Sequence, residues 1–419
     1  MRTILILKKA IFTGAVISLF AITANSQTNL VWGKQFGTDK NEYVMNHVVD
    51  QHGNIYISGT TSGKMNGTNY GQNDGFISKI DSSGNLLWSK QFGTAEDEDI
   101  QWSAIDNKGC IYITGYTNGD LNGKSAGKED ILVAKYNSDG KMLWSKQLGT
   151  DSTDMGKGIF ADNKGNVYIT GLTLGKLGKS SFGKSDGFII KLDGNGKLLF
   201  TNQFGTPGDD CSNAITGDNK STIYTCGTTW GDLGSKSKGF IDVFITRITE
   251  NGNLIKYDQF GSEGFDIAMA IKTDKENNIY VGGTTSGNFA NQQLGEGDCF
   301  LVKMNDKGEI IWNKQFGTDK HDGIRAININ AKVSDNILVS GLLSLPPAQA
   351  FIRSYNKTGE LIWEKNFNDK NADSSGKDVS IDNNGIIYHS GLTQGSLFGK
   401  PVGEGDFYIV KLRLDKKLE

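Results

Sequence analysis

Proline, cysteine and histidine are all scarce, four of each in 419 residues. With so little proline and no three-residue period, a collagen-like fibre is excluded. Four cysteines (Cys110, Cys211, Cys226, Cys299) without CxxC spacing cannot staple a chain of this length. Buried thiols are expected in the strand-like runs around Cys110 and Cys226. His47, His52, His321 and His389 show neither HxH nor HExxH spacing, and no GxSxG turn occurs, so zinc hydrolase and nucleophile-elbow chemistry have no motif. No charge of one sign dominates either. The 44 basic and 47 acidic residues leave a net charge of -3, which argues against a surface made for nucleic acid.

Only one long apolar run exists, at 10–22, within a basic start (Arg2, Lys8, Lys9) and small residues at Ala24 and Ser26. As a helix it would span roughly 20 Å, short of a bilayer core. Residues 1–26 are therefore expected to be a cleavable signal peptide, and 27–419 an exported protein, periplasmic, cell-surface or extracellular, with no transmembrane segment after cleavage.

What the chain has in abundance is glycine, 55 residues, together with 21 Phe, 13 Tyr and 7 Trp. The aromatics argue for a packed core and the glycine against a helical bundle. A period organises both. Units start near 32, 88, 144, 200, 256, 312 and 363, each on a segment like WSKQFG. Within a unit an alternating strand (LLWSKQF) leads to an acidic loop and a second strand. A D-x-x-G turn follows, then a run such as NIYISG, a long Gly-rich loop, and a run such as DGFISKI. Four short strands with tight links must be antiparallel, and one such sheet cannot bury both faces alone. Stacked units need polar caps or a closed ring. The last unit stops after its third strand, 406–412, while a spare outer strand stands at 29–37. These features predict an all-β, seven-bladed β-propeller of four-stranded antiparallel blades, closed by the N-terminal strand. Unit six is the least regular: Pro346–Pro347 replaces its Gly-rich loop.

The repeat W-x-K-Q-F-G…D-x-x-G-N-I/V-Y-I/V-x-G resembles the bacterial SBBP β-propeller repeat family. That resemblance implies a propeller and an exported or surface location, and it supplies no catalytic residues.

Candidate site residues fall into two groups. Acidic residues recur at the tenth position of each unit: Glu42, Glu98, Asp154, Asp210, Asp266, Asp322 and Asp373. At the entry to the innermost strands they would ring one mouth of the channel, where convergent carboxylates would hold a structural cation such as calcium. The same residues would also serve as clamps, accepting backbone N–H bonds from their own G-T-x-x-x loops. Two tryptophans lie off the repeat. Trp230 sits in the Gly-rich loop of unit four and Trp102 at the start of the innermost strand of unit two; an exposed indole there would stack a sugar or anchor a partner. The expected function is a non-catalytic, monomeric scaffold without a cofactor, binding a protein or glycan through its long-loop face. The alternative is a carbohydrate-active enzyme, a glycan hydrolase or lyase, using carboxylates at the channel mouth.

Overall fold

A computed structural model describes residues 28–414, apart from 66, 124, 219, 291, 331 and 332. The proposed signal peptide lies outside the described residues. The strands form seven four-stranded sheets with all pairings antiparallel, and the described residues contain no helix. Blade one runs from the axis outwards as Glu42–Val49, Ile55–Thr61, Asp74–Ile80 and Leu86–Phe92. The innermost strands of the next six blades are Glu98–Ile105, Asp154–Ala161, Asp210–Gly217, Asp266–Thr273, Gly323–Asn330 and Ser374–Ile381.

Closure follows the sequence expectation. Thr28–Phe36 is the outer strand of blade seven, pairing with Asp406–Leu414 from Thr28↔Leu414 to Phe36↔Phe407. The core lies between blades, because both faces of each middle strand are apolar and are covered only by a neighbour. The closing seam is packed like the others. Val44, Ile57 and Phe76 of blade one meet Tyr388, Phe407 and Ile409 of blade seven in one buried cluster.

The seams also carry polar latches. Trp144 of blade two donates its indole N–H to the Gly194 carbonyl, in a turn of blade three, at 3.1 Å. The Lys135 ammonium reaches the same carbonyl at 3.0 Å, crossing the Tyr112 ring 4.9 Å from its centroid. At the closing seam Trp32 and Lys411 both donate to the Ser82 carbonyl, at 3.2 and 2.8 Å. The recurrent lysine is thus an inter-blade tie. The recurrent glutamine works inside its own blade: Gln91 donates to Gly63 O at 3.0 Å and to Asp74 Oδ2 at 2.7 Å.

Candidate functional site: the loop face and the axial channel

The two ends of the ring differ in chemistry. On one, D-x-x-G turns are fastened internally; Asp81 Oδ1 accepts the N–H groups of Ser83 and Asn85, both at 2.8 Å, and Gly84 takes φ +87°. On the other lie the acidic loops and the long Gly-rich loops.

The recurrent carboxylates begin the innermost strands, but they are buried and turned into their own loops. Glu42, Glu98, Asp154, Asp210 and Asp266 are at most 1% exposed. Glu42 accepts the Thr38 N–H and hydroxyl, each at 2.7 Å, and the Thr61 hydroxyl at 2.8 Å. Glu98 repeats this with Thr94 and Thr117, Asp154 with Thr150, Asp210 with Thr206, and Asp266 with Ser262 and Thr285. Asp322 accepts from Thr318 and from the Ser344 N–H. Burial raises the pKa of Glu42, Glu98, Asp210 and Asp266, with hydrogen bonds opposing it. Among the described residues no three His, Cys, Asp or Glu side chains are grouped as a cation cage.

Asp373 does not belong to this set. It is exposed, and Ser374 takes the buried place, pairing with Thr393 as Glu42 pairs with Thr61. Asp373 is instead equivalent to Asp209: its carbonyl accepts the Gln394 N–H as the Asp209 carbonyl accepts that of Trp230. The preceding loop, 368–373, is one residue longer than 37–41 and has Asn368 in place of the glycine, which shifts the match by one.

The rim of the loop face holds the same backbone with different side chains. The N–H groups of Ser62, Asn118, Leu174, Trp230, Ser286 and Gln394 each bond the carbonyl just before the neighbouring buried position, at 2.9–3.1 Å. Trp230 is 52% exposed. It directly follows Thr229, which pairs with Asp242, and lies against Gly208 and Asp209 of the acidic loop of its own blade. Phe240 is 69% exposed and stacks on Phe265 of the next blade, centroids 5.6 Å apart. The blade-four and blade-five rim is therefore aromatic. Between blades one and two the rim is acidic: Asp97, Glu98, Asp99 and Glu129 line a cavity of about 310 Å³ with Tyr43 and Tyr116. Tyr116 donates to Asp99 at 3.2 Å, and burial with that carboxylate pushes its phenol pKa upward, away from use as a base.

Trp102 stands elsewhere. It lies mid-strand, half-buried in the axial channel, and packs against the core between blades two and three. The channel is lined by residues that sequence reasoning missed. Every innermost strand carries a bulge at the same place, and the extra residues are Met45, Gln101, Lys157, Asn213, Met269, Arg325 and Lys377. With Trp102 these seven enclose a cavity of about 40 Å³. A bulged residue breaks strand alternation and turns its side chain out of the pleat, and no residue type marks it in advance. Deeper in the wall, His47, Ser390, Ser380 and Asp378 form a polar network. Nδ1 of His47 faces the Ser390 hydroxyl at 2.8 Å and the Asp378 carboxylate at 3.6 Å, and Nε2 faces the Ser380 hydroxyl at 2.8 Å. His47 is buried.

Residues 31–64, 87–122 and 143–178 match the family described as SBBP, beta-propeller repeat. The chain carries SBBP repeats. Among curated relatives it is similar to the regulatory protein FlaEY of Caulobacter vibrioides, 25% identical over 52% of this chain. It is also similar to the uncharacterized WD repeat-containing protein L264 of Acanthamoeba polyphaga mimivirus, 23% identical over 70%. The matched parts span 25% and 19% of those two proteins. Among solved structures, U3-55K superposes with TM-score 0.55 at 11% identity, over 90% of this chain and 98% of that one. A polysaccharide lyase of family PL25, an ulvan lyase bound to -[GlcA(1-4)Rha3S]-, superposes with TM-score 0.55 at 13% identity, over 90% and 95%. At such identities the likeness establishes the fold alone. No helix of the described residues is long and apolar enough to cross a membrane.

Proposed function

We propose that this SBBP-repeat protein is an exported, non-catalytic scaffold that binds a protein or glycan through the loop face. The observation that carries the reading is the rim: one backbone scheme repeats around the ring while its outward side chains vary, and at blades four and five they are exposed aromatics. Variable side chains on a rigid frame are the usual form of a recognition surface, and aromatic anchors contribute most of the binding energy at such surfaces. Trp230 with the Phe240–Phe265 stack is the proposed anchor. The test is a glycan array and a direct binding screen with the purified protein, native and Trp230→Ala/Phe240→Ser. The double variant should lose at least about tenfold in affinity, the worth of a modest hot spot, with its melting temperature unchanged. Undiminished binding by the variant would refute the anchor.

The acidic cavity between blades one and two supports a second reading, a carbohydrate-active enzyme. A polysaccharide lyase among the proteins that share the fold makes the reading worth testing. Its test is a screen for oligosaccharide release from anionic and neutral polysaccharides, with Asp99→Asn as the control. Release by the native protein, lost in that variant, would replace the scaffold reading.

A further inference from the structure

The axial cavity departs from the rest of the molecule in its charge. Three of the seven bulge residues are cations, Lys157, Arg325 and Lys377, and none of the residues lining the cavity is a carboxylate. Elsewhere in the ring the recurrent cations are tied: Lys79, Lys135, Lys191 and Lys303 to turn carbonyls and Arg247 to a carboxylate; Arg353, one place off the repeat, also pairs with a carboxylate. Among the described residues Lys157, Arg325 and Lys377 have no hydrogen bond or ion pair. Asp378, the carboxylate next to Lys377 in sequence, accepts the backbone N–H groups of His47 at 3.1 Å and Val379 at 2.8 Å and feels the charge of Lys272.

Three unpaired, half-buried cations converging on one cavity is an arrangement that a fold avoids unless something neutral in sum results. Size narrows what could do so. The cavity measures about 40 Å³, where a single water needs about 10–15 Å³ by the same kind of measure. A small multi-atom guest fits. Gln101 adds an amide donor to the three cations, the Asn213 amide being engaged with the Ala268 carbonyl at 2.9 Å, and the fork of Arg325 suits two oxygens of one planar or tetrahedral group.

We propose that the axial channel is an anion site that takes a sulfate- or phosphate-type oxyanion, held by Arg325, Lys377 and Lys157. The direction of the side-chain titrations agrees: burial and the Arg325 charge press Lys377 down to about 8, and burial lowers Arg325, as expected for cations that have no counter-charge of their own. The site is separate from the aromatic rim, so it stands or falls independently of the partner reading above.

Isothermal titration with sodium sulfate and with sodium phosphate, in chloride buffer of matched ionic strength, tests the proposal. Saturable binding to the native protein is expected. Arg325→Met and Lys377→Met should each weaken it by about tenfold, the worth of one charge-assisted hydrogen bond. Neither should lower the melting temperature in chloride, because each removes a like-charge neighbour. Lys377→Arg, which keeps the charge, should retain binding and guards against a methionine variant that fails to fold. A sulfated oligosaccharide that competes with inorganic sulfate would identify the guest as a group on a larger ligand; one that does not compete would leave a free ion. No saturable binding by the native protein, or native affinity in Arg325→Met/Lys377→Met, would overturn the assignment.

Discussion

The glycine that ends each WSKQFG segment shows how single residues hold this ring together. A Cβ on Gly93 would stand 2.2 Å from Asp74 Oδ1 and 2.6 Å from Glu98 Oε2. Gly37, Gly149, Gly205, Gly261 and Gly317 face the equivalent carboxylates of their own seams. The demand is for space, not for an unusual backbone angle. Both carboxylates are fixed by hydrogen bonds, so the clash cannot be relieved by a swing of a free side chain. Gly93→Ala should therefore destabilise by about 1–3 kcal/mol, the usual cost of over-packing; a urea midpoint equal to the native one would show that the loop adapts. Buried histidines set a second expectation. Burial lowers the pKa of His47 and of His389 to about 3. Both are thus neutral in the fold and charge more readily when unfolded, near 6.5. Their contribution is complete above pH ~6.5 and is lost as the pH falls below it. Asp378, raised to about 7 by burial, acts in the opposite sense, favouring the fold at low pH and weakening it as the pH rises. His389→Phe should flatten the loss of urea stability on going from pH ~6.5 to ~5 relative to the native protein. An equal loss in both would mean that His389 is protonated in the fold.

At the level of strands and turns, much is legible in the sequence because every element is written several times. Period-two alternation, D-x-x-G turns and the aromatic outer strand recur at equal spacing, so each weak local signal is checked by its copies. Legibility fails where a copy departs: a six-residue loop before Ser374 makes Asp373 a false member of the carboxylate series. Nor can strand alternation encode the bulges that send Lys157, Arg325 and Lys377 into the channel. Spacing alone sets Trp102 at a strand end for the same reason, although it directly follows the bulged Gln101. The carboxylates are visible as a series, but their partners are not, since a hydroxyl four residues earlier becomes a ligand only once the loop has turned. If Thr94 and Thr117 hold Glu98 as a loop clamp, a chelator should leave the melting temperature unchanged. A fall on chelation, reversed by calcium, would put cations at these loops instead.

Across the whole molecule, the seams are close to interchangeable, including the one formed by the chain's two ends. Trp32 at the closing seam and Trp144 within the chain make the same indole bond to a neighbouring turn. Trp32→Ala and Trp144→Ala should therefore cost similar amounts, about 2–3 kcal/mol, somewhat below a fully buried tryptophan. A much smaller cost at Trp32 would mean that the closing strand is only loosely docked. Deleting residues 28–36 would strip blade seven of its outer strand and expose the edge of Asp406–Leu414, so cooperative melting should be lost or fall steeply in temperature. Melting like that of the intact protein would contradict closure by this strand.

The pairing of Thr28 with Leu414 has a geometric consequence for display. Both residues lie at the tight-turn end of blade seven, so the chain enters and leaves the ring at a single point. Anything attached directly at Thr28 or Leu414, whether a reporter, a linker or a support surface, sits behind the ring, with the aromatic rim facing the other way. Immobilised at Thr28 or Leu414, the ring would present its loop face to solution, and two differently coloured labels placed at these two residues would report on a single blade, not on the width of the ring.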